Sequence, residues 1–531
     1  MATNKRTEVE IAPLEFTPID QIPRKVATLR ESFSQRKTRP IEFRKVVLRK
    51  LYWAVEDNKE RIAEALSRDL GKHAYEAFMA EIYWMTGDIL HIVNNMDKWL
   101  KDEAASDIPF MWKSVNPKIR KDPMGTVLII GPSNYPFQLT MLPLFGAIAA
   151  GNTVAIKPSE ITPNSSRIIQ EIIESTLDPS CYAVVQGGAE ETQALLAEKW
   201  DKIFFTGSAA VGRIVAKAAA VHLTPVVLEL GGLNPAIVTR NANPRLVARR
   251  LLWAKSMNAG QTCTAHNYIL IEKSILPAVL EEFKKAYKDF YPNGSRDSPD
   301  YGRIVTDKAF QRLKGMLDNS QGKIIFGGTL NEKERYIEQT LVQVDSLEDS
   351  MIVNEAFGPI CAVYPVNDVD EAIQIANKVH DTPLGISVFG SSSDHEKVLE
   401  GTRSGNVSLN DAQPHVNTLA FGGVGESGMG QYRGRASVDV FLHHRPYTKT
   451  PSWAESLLDL RYPPYTPTKF KWLRLGLGVG TPDFDRDGRK SPWTWLRLLF
   501  GGSPKLAASK AMAVAIVLFL VQKYLQRLAK Q

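Results

Sequence analysis

The sequence predicts an α/β protein with a doubly wound parallel sheet, followed by a second α/β region and a chemically distinct tail. Two observations carry the first part. Short apolar runs at 126–130, 153–156, 181–185, 202–205 and 225–230 are separated by stretches of helical periodicity. Runs so short and so uniformly apolar fit parallel strands buried on both faces. The loops that follow several of these runs hold Gly, Pro, Asn and Ser in unusual density. Ligands of open α/β sheets bind beyond the carboxyl ends of the strands, so these loops are the ones to inspect.

Ahead of the first strand, residues 41–70 carry Val46, Val47, Leu51, Ile62, Leu66 and Leu70 at helical spacing, with Gly71 as a stop. A second helical segment covers 75–100, with Ala77, Ile82, Leu90, Ile92 and Leu100. Proline and polar residues break the pattern over 106–125. Helices are expected at 139–150 and 163–176, between the strands of the first sheet. A second α/β region begins near 231. Its strands are expected at 236–238, 268–271, 360–364, 386–389 and 407–410, with helices near 243–256, 275–290, 306–318, 369–378 and 394–402. No internal repeat or low-complexity linker precedes residue 446.

A chain of 531 residues is too long for one core, so two or three domains are expected. Three cysteines, Cys181, Cys263 and Cys361, have no regular spacing. That argues against a disulfide framework and a structural metal site, and favours a reducing compartment. The polar N-terminus lacks the apolar run of a secretory signal. The net charge of +7 is unevenly placed. Residues 446–531 hold 14 basic and five acidic side chains, a net of +9, which leaves 1–445 at −2. A near-neutral body argues against a nucleic-acid partner, whereas a basic tail suits an anionic membrane surface.

The loops carry the candidate chemistry. Cys263 closes Gly260-Gln-Thr-Cys263, and Glu229 opens Glu229-Leu-Gly-Gly232. A thiol can attack a carbonyl and hold the product as a thioester, and a carboxylate can deprotonate the water that releases it. The bland alternative is a buried structural cysteine. Asn134, in Gly131-Pro-Ser-Asn-Tyr-Pro-Phe137, either donates its amide to an oxyanion or serves as a turn residue. Lys157 and Glu160 suit ribose recognition at a strand end, or else mark a helix N-terminus capped by Ser159 or Thr162. Gly207, Ser208 and Gly212 frame a strand-to-helix turn that could receive a pyrophosphate. Asn354-Glu-Ala-Phe-Gly-Pro359 and Phe421-Gly-Gly-Val-Gly-Glu-Ser-Gly428 are further glycine-rich loops, either mobile or walls of a narrow pocket.

Taken together, in this order, these motifs resemble the aldehyde dehydrogenase superfamily over residues 20–445. Asn134-Tyr-Pro136, Phe421-Gly-Gly-Val-Gly425 and the short N-terminus are most similar to the class 3 branch, which includes the fatty aldehyde dehydrogenases. The resemblance implies a Rossmann-like NAD-binding domain (1–105 and 126–229) and an α/β catalytic domain (230–417). It also implies a small β oligomerisation element (106–125 and 418–445) that bridges a homodimer. By resemblance Cys263 is the nucleophile, and Asn134 with the Cys263 backbone N–H forms the oxyanion hole. Glu229 becomes the base for the deacylating water. Lys157 and Glu160 would hold the adenosine ribose, with Gly207, Ser208 and Gly212 near the pyrophosphate. Glu355 would bind the nicotinamide ribose, with Phe357 against the nicotinamide. Glu160 favours NAD because a carboxylate repels a 2′-phosphate, although this branch tolerates NADP as well. Leu233-Asn234 departs from the usual family residues after the paired glycines. Thiolate formation needs help, since a free thiol has a pKa of about 8.5. His266 is the one basic side chain within three residues of Cys263, and the nicotinamide cation is a further candidate.

The tail divides into a basic Trp- and Pro-rich extension at 446–503 and an apolar segment at 504–526. The unbroken apolar run at 511–521 is eleven residues, short of the ~20 that span a bilayer, and lysines flank it. Trp493 and Trp495 suit an interface. The segment is expected to anchor the protein C-terminally in a membrane with the body facing the cytosol, the alternative being an apolar helix docked on protein. An anchor points to a long-chain apolar aldehyde, either fatty or an apocarotenal such as beta-apo-4'-carotenal, as substrate. Competing readings are a semialdehyde or aromatic aldehyde dehydrogenase and a non-catalytic dinucleotide-binding scaffold. A semialdehyde enzyme would want an arginine in its substrate channel, and the sequence does not locate one.

Overall fold

A computed structural model describes residues 9–108, 110–413, 416–476, 484 and 486–490. The chain divides into two units, one of Met1–Lys101 with Arg120–Arg445 and one of Asp102–Ile119 with Pro446–Gln531.

The first unit contains both expected sheets. The first has six strands in the order Gly428–Met429, Val226–Glu229, Lys202–Thr206, Thr126–Ile130, Thr153–Lys157, Tyr182–Val184. All neighbours are parallel except Gly428–Met429, which runs antiparallel to Val226–Glu229 and pairs Gly428 with Glu229. The chain enters at Thr126–Ile130, winds outward through two strands, then returns to the other side at Lys202–Thr206. The order therefore reverses between these two strands. A crevice opens at the carboxyl ends of strands that diverge in this way. The helix Gln138–Ala150 is buried along its whole length, because it packs between the sheet and the helices Ile41–Asp57 and Tyr83–Trp99. That explains its lack of a polar face.

The second sheet has seven strands, ordered Lys323–Phe326, Thr340–Gln343, Ile360–Val366, Tyr268–Glu272, Pro235–Val238, Gly385–Phe389, Asn406–Leu409. Its two first strands pair antiparallel and the rest parallel. Five of the seven lie at the expected positions. Lys323–Phe326 and Thr340–Gln343 are too short, at four residues each, to stand out by pattern.

Two expected helices are broken. Residues 41–70 form Ile41–Asp57 and Lys59–Leu70, separated at Asn58. The Asn58 side chain donates to the Ala54 carbonyl at 2.8 Å and accepts from Arg61, local bonds that compete with the helix ladder. Residues 75–100 contain a π-helical turn, Phe78–Ile82, between Ala74–Ala77 and Tyr83–Trp99. Such turns gather at functional sites, and this one presents Glu81 to the loop that carries Asn134.

In the second unit, Glu103 and Ala104 pair antiparallel with Ile119 and Lys118, around the 3₁₀ helix Phe110–Val115. The Lys449 N–H donates to the Val115 carbonyl at 2.8 Å and the Tyr447 hydroxyl to Asp102 at 2.8 Å, so the two stretches of this unit are tied together. The helix Pro467–Gly476 follows, with Phe470 and Trp472 exposed. The expected anchor at 504–526 and its Trp493 and Trp495 lie outside the described residues. Among the described residues no helix is long and apolar enough to cross a membrane.

Candidate active site

A cleft of about 1040 Å³ opens where the strand order reverses. Asn134, Lys157, Glu160, Gly207, Ser208, Glu229, Cys263, Glu355 and Phe357 all line it. Gly212 does not: it sits on the helix Ala209–Val221 against Leu230, where a Cβ would come within 2.7 Å of a leucine methyl.

Glu229 ends its strand with the carboxylate turned into this cleft. It is 4% exposed, and neither carboxylate oxygen has a hydrogen-bond partner. Burial holds its pKa well above the ordinary carboxylate range, and the Arg433 charge opposes this. An unpartnered buried carboxylate costs stability, so its retention marks a place where a water or a reacting group belongs.

Cys263 follows a strained turn. Asn258, Ala259 and Gly260 are all left-handed, with φ of 50°, 49° and 72°. Gly260 is required twice over, since a Cβ there would lie 2.2 Å from the Gly358 carbonyl oxygen. Asn234 secures the other side of the thiol: its amide donates to the Cys263 carbonyl at 2.7 Å and the Ala265 carbonyl at 3.1 Å, and accepts from the Gly385 N–H. Asn234 is thus the clamp of the nucleophile loop. Burial, and then the Glu229 charge, push the Cys263 thiol up to about 12, and Arg433 opposes them. His266 gives no help. Burial, and then the charge of Lys255, hold its imidazole well below its ordinary range, so it is neutral.

Asn134 is held across the cleft. Its amide donates to the Gln261 carbonyl at 3.1 Å, which leaves a second N–H for the cleft. Its own carbonyl accepts from Lys72 at 2.9 Å and Asn258 at 2.8 Å. Lys72 is fully buried, paired with Glu81 at 2.7 Å, and lies 4.1 Å above the Tyr135 ring. The other Glu81 oxygen accepts from the Phe137 and Gln138 N–H groups.

At the far end of the cleft Lys157 and Glu160 form an ion pair at 2.9 Å. Ser159 accepts from the Ile161 N–H, whereas Thr162 makes no capping bond to the helix it precedes. Ser208 caps the helix Ala209–Val221 through the Val211 N–H. Glu355 accepts from the Gly232 N–H at 3.3 Å, and a Cβ at Gly231 would lie 2.4 Å from its carboxylate. Burial raises the Glu355 pKa, with the Gly232 N–H, Arg312 and Lys255 opposing. Asn267 braces this loop by accepting from the Ala356 N–H at 2.7 Å.

A second cavity of about 290 Å³ reaches Cys263 from another side. Met79, Trp84, Leu139, Trp253, Met257 and Phe421 give it an apolar, aromatic wall, and Arg433 adds a cation. Among the described residues Cys263 alone lines both cavities. A further cavity of about 230 Å³ adjoins the second through Thr264, Gln413, Phe421 and Arg433. Neither this channel nor Arg433 is visible in the sequence pattern.

A half-buried thiol thus sits between a cleft at a sheet's switch point and a separate channel with an aromatic wall. The chain belongs to the aldehyde dehydrogenase family, whose model matches residues 2–446. It is 48% identical over 501 residues to beta-apo-4'-carotenal oxygenase of Neurospora crassa, covering 93% of this chain and 94% of that one. It is 43% identical to aldehyde dehydrogenase family 3 member B1 of Homo sapiens, over 85% of this chain and 96% of the relative. Among solved structures, substrate-bound Staphylococcus aureus AldH superposes with a TM-score of 0.83 at 40% identity, covering 86% of this chain and 99% of that one. The chain is an aldehyde dehydrogenase, of a family that uses NAD(P), and its closely similar relatives fall in the class 3 branch.

Proposed function

We propose that the protein oxidises a long-chain apolar aldehyde, fatty or apocarotenoid, to the carboxylic acid. The observation that carries this reading is the aromatic channel that meets the cofactor cleft at Cys263 alone. The beta-apo-4'-carotenal named for the Neurospora relative is a substrate of this chemical class.

The cleft residues fit a nicotinamide dinucleotide. Lys157 and Glu160 suit the adenosine ribose, the Gly207-Ser208 turn suits the pyrophosphate, and Glu355 with Phe357 suits the nicotinamide riboside. The bound dinucleotide supplies a hydride acceptor. The remaining work falls to the chain's own side chains. Cys263 adds to the aldehyde carbon as a thiolate. The free N–H of Asn134 faces the oxyanion that forms, an interaction worth roughly 10²–10³ in rate in acyl-transfer enzymes. Once the adduct is a thioester, Glu229 accepts a proton from water and the acid is released. NAD is the preferred cofactor because Glu160 would repel a 2′-phosphate. A homodimer and a C-terminal membrane anchor are part of the same proposal, since an apolar aldehyde is concentrated in lipid.

A second reading, an aldehyde bearing a carboxylate, is favoured by one observation: Arg433 lines the channel with no ion-pair partner among the described residues. The apolar reading is preferred because the guanidinium is stacked over three rings. Values of kcat/KM for hexadecanal, an apocarotenal, acetaldehyde and succinate semialdehyde, each with NAD and with NADP, test both. Preference for acetaldehyde would refute the apolar reading, and preference for the semialdehyde would establish the second.

A further inference from the structure

Arg433 is a buried arginine in an unusual setting. It is 5% exposed, and its guanidinium lies 4.1 Å from the Phe421 ring centroid, 4.7 Å from Trp84 and 5.5 Å from Tyr432. Its Nε is buried without a hydrogen-bond partner. Its backbone is left-handed, φ 78°, and is held by the Arg433 N–H donating to Ser437 Oγ at 2.7 Å. A buried cation is ordinarily paired, because desolvation without compensation is costly. Here the Arg433 charge acts on the carboxyls of Asp88 and Glu229, whose oxygens have no hydrogen-bond partner, while Asp411 in the same cavity wall pairs with Arg250 at 3.9 Å. Asp88 and Glu229 are both groups that burial keeps protonated more readily than usual. A positive charge is thus left over in the wall of the channel that Cys263 closes.

We infer that Arg433 is the resident cation that stabilises the Cys263 thiolate before any cofactor is present. This rests on the reading of Cys263 as the nucleophile. The geometry is a cavity wall that Arg433 shares with Cys263 and a cation held against three rings. The charged and titratable groups facing Cys263 are Glu229, Glu355, Tyr135 and Tyr432, all of which disfavour or do not assist a thiolate, and Arg433, which favours it. Those facing Arg433 are Asp88, Glu229, Tyr432 and Cys263, with Asp411 in the same cavity wall. Lys255 and His266 act on each other, and Lys255 donates to the His266 carbonyl at 2.9 Å. Arg433 acts on the thiol through charge, so it is a positioning residue of the electrostatic kind.

The test is alkylation of Cys263 by iodoacetamide in the cofactor-free protein, followed by mass spectrometry of the Cys263 peptide from pH 6 to 10. Arg433→Met keeps the packing against the rings and removes the charge. Its log-rate line is expected to move up by about one pH unit, a tenfold slower alkylation at fixed pH. Arg433→Lys keeps the charge and is expected to return most of the rate. Superposable profiles for the parent protein and Arg433→Met, with a lower melting temperature in the variant, would overturn the inference and leave a purely structural arginine. If Arg433→Met does not fold, Arg433→Lys against Arg433→Gln gives the same comparison. Independently, alkylation of Cys263 that leaves aldehyde oxidation intact would refute the nucleophile itself, which separates the two failures.

Discussion

Replacing Glu229 with Gln tests the second half of the proposed chemistry and the physical account of the site together. The change keeps the shape and removes the ability to take a proton. General-base assistance is worth roughly 10²–10⁴ in rate, so steady-state turnover should fall by about two to three orders of magnitude. Adduct formation and hydride loss do not require this base. A stopped-flow trace should therefore keep a burst of reduced cofactor close to one per Cys263, followed by a nearly flat line. The structure also gives the sign of the stability change. Glu229 is buried with both oxygens unpartnered, and burial raises its pKa well above the ordinary range. Burial therefore makes ionising this carboxyl cost the fold stability once the pH exceeds the unfolded pKa of about 4.3. That cost is absent near the unfolded pKa and grows as pH rises towards the folded one. Gln carries no such term, so the variant should melt higher than the parent at pH 8 and no higher near pH 4.5. Loss of the burst along with turnover would move the carboxylate's role ahead of hydride transfer. Unchanged turnover would remove it from the mechanism.

Asn234→Ala leaves the Cys263 and Ala265 carbonyls and the Gly385 N–H without their partner, so kcat should fall by about tenfold or more while the KM for NAD changes little. A KM effect without a kcat effect, in steady-state kinetics, would show that the clamp does not reach the thiol. Asp88→Asn should flatten the decline of stability with rising pH. Burial lifts the Asp88 pKa to about 8, so between about pH 4 and 8 the folded state binds a proton that the unfolded state has lost, and stability falls across that window. Chemical denaturation at pH 5, 6.5 and 8 measures this, and an equal slope in both proteins would mean that Asp88 ionises normally in the fold.

The parts of the site that the sequence disclosed are those set by local chain geometry. Asn134, Lys157, Gly207 and Glu229 each follow or end a short apolar run, and a parallel sheet delivers all such positions to one edge. Cys263 was legible because its motif is local too. What stayed hidden depends on pieces brought together from far apart. Arg433 stands 170 positions beyond Cys263, in a stretch whose pattern says only that glycines are frequent. The channel wall draws on the π-helical turn, the helix Pro244–Ser256 and the loop near Phe421, so no one segment announces it. Leu233-Asn234 read as a departure from the family pattern, and Asn234 proves to be the clamp on the nucleophile loop. The strands Lys323–Phe326 and Thr340–Gln343 escaped for a different reason, since four residues carry too little periodicity to register.

The charges around Cys263 also bear on the order of the reaction. The Glu229 charge raises the pKa of the thiol, so the two groups resist being negative together. Arg433 opposes burial at both groups of the pair. Two acids that repel in a low-dielectric site titrate as a unit, with the first proton lost more easily than the second. One guanidinium can thus support one negative charge, on sulfur or on carboxylate. The proposed chemistry needs the charge on sulfur first, to attack the aldehyde, and on Glu229 later, to draw a proton from water. Thioester formation consumes the thiolate and so removes the obstacle to ionising Glu229. Once the acyl group is in place, Glu229 no longer shares the site with a charged sulfur. Because the Glu229 charge holds back the thiolate, the proposed chemistry runs in this order only with Glu229 protonated while the thiol attacks.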